Sequence, residues 1–277
     1  MTTNTETPTP SARPVSVRDF IARKQAGQKL VLTTAYDALF GRLVDEAGVD
    51  AILVGDSLGM VIAGLPSTIP VTLDQMIYHA SMVRRGVTRA LLIVDMPFLT
   101  YQVSEEQALR NCGRVIQETG AQAVKLEGAS DEVIRAIRAL VRVGIPVMGH
   151  LGFTPQSVLA IGGHRVQGRE KDAAERLIAD ARRLEAAGVF ALVLELMPAD
   201  VAAQVTGALT IPTIGIGAGP ECNGQVLVLP DLLGLNDKFS PKFLKRFGNL
   251  ADQVRRAVSR FGDEVRQGRY PDDEHSF

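Results

Sequence analysis

Neither sign of charge dominates this chain of 277 residues: 30 Lys and Arg stand against 31 Asp and Glu, for a net charge of -1. Such a balance leaves no electrostatic footprint for nucleic acid or for an anionic membrane as partner. Cysteine is scarce as well. Cys112 and Cys222 lie far apart and outside any CxxC pair, which argues against a disulfide framework and against a zinc site. The apolar stretches are of strand length, too short to span a bilayer. The stretch from Met1 to Pro10 has neither the basic nor the apolar region of a signal peptide, so a cytoplasmic location is the expectation. That same stretch is rich in Thr and Pro and poor in core formers, which predicts a disordered tail over residues 1–14. Residues 15–277 remain as a single domain.

What is present is an alternation. With 46% hydrophobic residues the chain can bury one large core. Strand-like runs fall at Leu30–Thr34, Ala51–Gly55, Ala90–Asp95, Ala121–Leu126, Pro146–His150, Ala191–Glu195, Pro212–Ile216 and Val226–Leu229, with helical patterns filling most of the gaps. Thr72-Leu-Asp-Gln75 and Ser104-Glu-Glu-Gln107 fit the capping box that starts a helix. Alternating β and α segments build a parallel sheet, and eight strands favour its closure. The fold class is therefore α/β, a single (β/α)8 TIM-type barrel, for which about 250 residues suffice. An open doubly wound sheet is the alternative. A basic amphipathic segment from about Pro241 to Arg266 predicts a long carboxyl-terminal helix, outside the barrel or against a partner.

Four of the apolar runs end in a carboxylate: Asp56, Asp95, Glu127 and Glu195. In α/β folds the carboxyl edge of the sheet is where chemistry is done, and an isolated carboxylate is costly to desolvate there. Asp56, Asp95 and Glu127 together offer three hard oxygen donors, which suits Mg²⁺; singly, each could merely cap a turn. Lys125 and Glu127 are two apart on one strand and leave the same face. They are a simple ion pair, or a cation that holds a substrate carboxylate beside a metal ligand. Ser57 could donate to the same substrate or cap the next helix. His150, at the same edge, could polarise a carbonyl or orient an anion, although a lone His is often structural. Glu195 has Leu194, Leu196 and Met197 as neighbours, which would exclude water and favour a general base. Gly215-Ile-Gly-Ala-Gly219 is followed by Pro220 and no helix, which breaks the dinucleotide fingerprint. The basic, glycine-bearing loop Ile161–Arg169 would suit a lid.

These segments, in this order, give the chain a resemblance to the ketopantoate hydroxymethyltransferase family. The resemblance is carried by Val54-Gly-Asp-Ser-Leu-Gly-Met60, Asp95-Met-Pro97, Val124-Lys-Leu-Glu-Gly128, Gly149-His-Leu-Gly-Phe-Thr-Pro-Gln-Ser157, Leu194-Glu195 and Gly215–Gly219. It implies a (β/α)8 barrel, a homo-oligomer that is often a decamer, and Mg²⁺ on Asp56, Asp95 and Glu127. It also implies an α-keto acid held by Ser57, Asp95 and Lys125, with His150 close by and Glu195 as the proton acceptor. Methylenetetrahydrofolate would be the co-substrate and 3-methyl-2-oxobutanoate the acceptor, with Asp56 at the substrate as well as at the metal. At Leu65, Asn223 and Pro230 the chain departs from the family pattern. A Mg²⁺-dependent carbon–carbon lyase or mutase of the isocitrate lyase or phosphoenolpyruvate mutase type is the rival reading, but the KKCGH loop of the lyase is missing.

Overall fold

The structure is a computed structural model that describes residues 13–277. The tail expected over residues 1–14 thus lies mostly outside the described residues. At its inner end Arg13 forms an ion pair with Asp19, and the Val15 N–H donates to the Arg89 carbonyl at 2.8 Å. By its internal packing the chain falls into two compact units that divide between Leu227 and Val228, where the sequence suggests one domain.

The first unit is a closed barrel of eight parallel strands in sequential order, β1 to β8. The strands are β1 Leu30–Thr34, β2 Ala51–Val54, β3 Leu91–Asp95, β4 Ala123–Glu127, β5 Val147–Gly152, β6 Ala191–Glu195, β7 Thr213–Ile216 and β8 Gly224–Leu227. Helix α1, Val17–Gln25, precedes β1, and α2 Ala38–Glu46 follows it. After β2 come α3 Leu58–Val61 and α4 Leu73–Gly86; α5 Glu105–Thr119 and α6 Asp131–Arg142 follow β3 and β4. Beyond β5 lie α7 Val158–Ile161 and α8 Lys171–Ala187, and α9 Ala199–Ala208 joins β6 to β7. No helix stands between β7 and β8, as the sequence suggests, yet β8 starts two residues earlier than its apolar run. It also ends two residues earlier, because Leu229, the last residue of that run, opens a helix with Pro230 instead.

Period-two alternation explains how the barrel is filled. Leu30, Leu32, Ala51, Leu53, Leu91, Ile93, Ala123, Met148, Ala191, Val193, Ile214 and Val226 form one buried cluster. Residues two apart on a strand share a face, so these side chains point inward from the lower part of the barrel. Val15 and Phe20 join the cluster from α1 and its approach, and the Phe20 and Phe190 rings meet edge to face at 5.4 Å. Helix α1 thereby covers the amino-terminal mouth. It is fastened there by Lys24, whose ammonium donates to the carbonyls of Thr206, Leu209 and Ile211 at 2.9–3.0 Å.

Capping follows the sequence in part. Thr72 and Gln75 form the reciprocal box at α4. Ser104 caps α5 through the Gln107 N–H, but the Gln107 side chain turns to Val103 N–H and the Leu99 carbonyl. Asn223, one of the departures from the family pattern, accepts from the Thr213 N–H at 3.1 Å. It thus sits at the amino-terminal edge of β7 and β8, away from the strand ends that carry the acids.

The second unit contains α10 Leu229–Leu232 and α11 Leu250–Arg266. The helix expected from Pro241 starts only at Leu250, because residues 241–249 turn back so that Phe247 N–H and Leu250 N–H donate to Leu232 and Leu233. Val254, Val258, Phe261 and Val265 form an exposed apolar stripe along α11, spaced for one helical face. Among the described residues no helix is long and apolar enough to cross a membrane.

Asp45 holds the α4–β3 connection. Its buried carboxylate accepts from the N–H groups of Thr88, Arg89 and Ala90 and from the Thr88 hydroxyl, at 2.7–3.0 Å. Burial opposes its ionisation, but those donors outweigh burial and hold its pKa below the usual carboxylate value. Asp45→Ala should lower stability by about 3 kcal/mol in urea denaturation at pH 7, since several buried donors lose a charged acceptor at once. Because the folded-state pKa is depressed, the difference between wild type and variant should shrink as pH falls from about 4 through that lowered value.

Candidate active site

The alternation that fills the barrel with apolar side chains turns polar at its carboxyl end. On β3, Leu91 and Ile93 are followed two residues later by Asp95; on β4, Ala123 is followed by Lys125 and Glu127. On β5, Met148 is followed by His150, and on β6 Ala191 and Val193 by Glu195. The strand register sets Asp95 beside Lys125, Glu127 beside His150, and Glu195 beside Gly152. Asp56 lies just beyond β2, on a turn with Ser57. One layer of the barrel end thus gathers all seven residues singled out from the sequence.

Their contacts form a continuous chain. Lys125 Nζ is 2.7 Å from Asp95 Oδ1 and 3.7 Å from Glu127 Oε1. His150 stands between two acids, with Nδ1 3.4 Å from Glu127 Oε1 and Nε2 3.3 Å from Glu195 Oε2. Neither ring nitrogen makes a hydrogen bond, so the attraction at these distances is that of ion pairs. Asp95 Oδ2 accepts from the Asp56 N–H at 3.2 Å. Ser57 shares a 2.9 Å hydrogen bond with the Tyr36 hydroxyl.

Burial sets the electrostatics. Asp56 has its pKa pushed well above the usual carboxylate value by desolvation and by the charges of Asp95 and Glu127. Asp95 is raised by desolvation, against the pull of Lys125. Glu127 is desolvated too, but His150, Lys125 and the Gln156 N–H hold it below its usual value. Burial and Lys125 oppose a charged imidazole, yet Glu127 and Glu195 prevail and His150 is pushed up to about 9. Lys125 is desolvated, and Asp95, Glu127 and Asp56 more than restore its charged form. Glu195 departs from the expectation of a dry carboxylate. Its side chain is 17% exposed, and the residue after it, Leu196, has a positive φ of 46°.

The structure brings the three proposed metal ligands near one another without closing them round a point. Among the described residues no three His, Cys, Asp or Glu side chains form a ready metal-ligand group. Glu127 is held aside: its Oε2 accepts from Gln156 N–H at 3.1 Å, and its Oε1 faces Lys125 and His150. The donors still fit a hard divalent cation. Mg²⁺ takes one or two carboxylates and keeps several waters, and the three buried acids have Lys125 and His150 as their only nearby cationic groups among the described residues. Two residues that sequence reasoning passed over belong to the site. Gln156 Nε2 donates to Asp56 Oδ2 at 2.9 Å, and the Tyr101 hydroxyl accepts from Glu127 N–H at 3.0 Å. Gln156 lies inside the matched motif, which was the available signal. The loop expected to be a lid is tied to the strand end next to Glu195 through Gln167 N–H to the Leu196 carbonyl, 2.8 Å. Within it His164 packs on Phe153, with ring centroids 4.8 Å apart.

Comparison with known proteins agrees over nearly the whole chain. The sequence profile of ketopantoate hydroxymethyltransferase matches residues 14–273. A 3-methyl-2-oxobutanoate hydroxymethyltransferase from Pelobacter propionicus is 55% identical over 263 residues, 95% of this chain and 97% of the relative. That of Thermobifida fusca is 53% identical over 265 residues, covering 96% and 94%. Among solved structures, a phosphonopyruvate hydrolase in complex with oxalate and Mg²⁺ superposes with a TM-score of 0.60 at 13% identity, covering 94% of this chain and 93% of the other. A 2,3-dimethylmalate lyase of the PEP mutase/isocitrate lyase superfamily gives 0.59 at 17% identity, covering 94% and 91%. At such low identity the structures show the shared fold alone.

Gly55 occupies the position before Asp56 that a side chain would spoil. A Cβ there would stand 2.7 Å from Ser57 Oγ and 3.4 Å from Asp95 Oδ2. In a crystal structure of Gly55→Ala the Ser57 hydroxyl should be displaced and its bond to Tyr36 broken. A variant that keeps this bond would show that the turn has room to spare.

Proposed function

The chain belongs to the ketopantoate hydroxymethyltransferase family, and from that premise we propose how its residues divide the work. The reaction moves a one-carbon unit from methylenetetrahydrofolate to 3-methyl-2-oxobutanoate, with water, and gives 2-dehydropantoate and tetrahydrofolate, a step of pantothenate biosynthesis. The observation that carries the assignment of roles is the unbroken row Asp95, Lys125, Glu127, His150, Glu195 across four adjacent strands.

Asp56, Asp95 and Glu127 would hold Mg²⁺. Bound there, the ion supplies fixed positive charge against the keto oxygen as negative charge develops on it. Lys125 and Ser57 bind the carboxylate of the keto acid, with Asp56 and Asp95 lining the same place. Lys125 suits this because its ammonium is already desolvated and oriented by Asp95, so little reorganisation accompanies binding. Glu195 removes the proton from the carbon next to the ketone, and that carbon then attacks the one-carbon unit of the folate. Its partial exposure lets it reach a ligand that enters from the open end. His150, charged between Glu127 and Glu195, keeps the Glu195 carboxylate turned towards the site and ready to accept. We further propose a cytoplasmic homo-oligomer, decameric as the family resemblance implies. The exposed stripe on α11 supports an association of that kind, since contiguous apolar surface of this sort marks interaction sites.

Two outcomes test the roles. Omitting the folate, the keto acid or the divalent ion in turn should each abolish product. Glu195→Gln should slow exchange of the substrate's C3 proton with deuterated water by about 10³-fold, while the keto acid still binds in calorimetry. Exchange at the wild-type rate would remove Glu195 from the role of base.

A further inference from the structure

Gln156 makes five polar contacts with its neighbours, four of them wholly buried. It sits on the 3-10 turn Pro155–Ser157 that follows β5, and it is buried. Its Nε2 donates to Asp56 Oδ2 at 2.9 Å and to the Met96 carbonyl at 2.8 Å. Its Oε1 accepts from the Tyr101 hydroxyl at 3.0 Å and from Gln102 Nε2 at 3.1 Å. Its main-chain N–H donates to Glu127 Oε2 at 3.1 Å. The Met96 carbonyl can only accept, so the amide has one orientation, with its nitrogen towards Asp56.

We propose that Gln156 is the positioning residue that sets the divalent-cation donors, an inference that rests on the reading of Asp56, Asp95 and Glu127 given above. An amide with both hydrogens and both lone pairs engaged cannot rotate without leaving a buried group unpaired. Gln156 therefore fixes Asp56 through Oδ2 and directs the remaining oxygen, Oδ1, towards the ligand. By its main chain it holds Glu127 back from Asp56, so that the two acids share the site without meeting. Tyr101 braces the arrangement from behind, since its hydroxyl accepts from Glu127 N–H and donates to Gln156 Oε1. One neutral side chain thus links the acid beyond β2 to the acid on β4. A Glu at the same position would set an acceptor against both Asp56 and the Met96 carbonyl, so charge and shape cannot both be kept there.

The test reads metal binding without turnover. Metal-stripped protein, checked for folding by circular dichroism, is titrated with Mn²⁺ and free ion is followed by electron paramagnetic resonance. Gln156→Ala and Gln156→Glu should bind Mn²⁺ about 10- to 100-fold more weakly, the usual effect of losing a partner behind a metal ligand. Tyr101→Phe, which keeps the ring and loses the brace, should weaken binding about fivefold. Asp95→Asn serves as the control for the underlying reading. If it loses Mn²⁺ while both Gln156 variants bind as wild type, the positioning role is overturned and the metal site stands. If Asp95→Asn also binds as wild type, the metal-site reading itself falls. Should the Gln156 variants not fold, wild-type affinity in Tyr101→Phe would overturn the role.

Discussion

A single buried ammonium makes the barrel's working end possible. Asp56, Asp95 and Glu127 are all buried, and each alone would be driven to take up a proton. Lys125 stands within 2.7 Å of Asp95 and 3.7 Å of Glu127, and it is as buried as they are. Removing one partner from such a group leaves an uncompensated charge in the interior, which typically costs about 3–5 kcal/mol. His150 extends the same logic one strand further, charged because Glu127 and Glu195 flank it. The site is thus one electrostatic unit in which no charged member is optional. The acids at this end still outnumber Lys125 and His150, and a hard cation would offset that imbalance.

How much of this was legible in the sequence depends on the kind of signal. The eight strands and the row of terminal acids could be read because burial on both faces makes each strand a continuous apolar run, against which a carboxylate stands out. Lys125 and Glu127 could be paired by their spacing alone. Gln156 and Tyr101 could not be found this way. They are neutral and lie on loops, without the period of a strand or helix, and their roles exist only through partners far away in the chain. The partial exposure of Glu195 was hidden for a related reason. Its apolar neighbours suggested a dry pocket, but adjacent residues along a strand point to opposite faces and so need not cover it. The late start of α11 has a similar origin, since residues 241–249 carry apolar residues at helical spacing yet spend their amide groups on Leu232 and Leu233.

The comparison with distant folds separates architecture from chemistry. Enzymes of 13–17% identity share the barrel, which depends on little more than period-two apolar strands and short connections. Asn223 lies at the opposite edge and pairs with Thr213, so it bears on the seam between β7 and β8.

The covering of the amino-terminal mouth by α1 has a consequence for traffic. Phe20 fills that end from below, and Lys24 fastens the helix to three carbonyls beside β7. With that end closed by packed side chains, the charged residues at the strand ends are approached from the carboxyl side of the barrel.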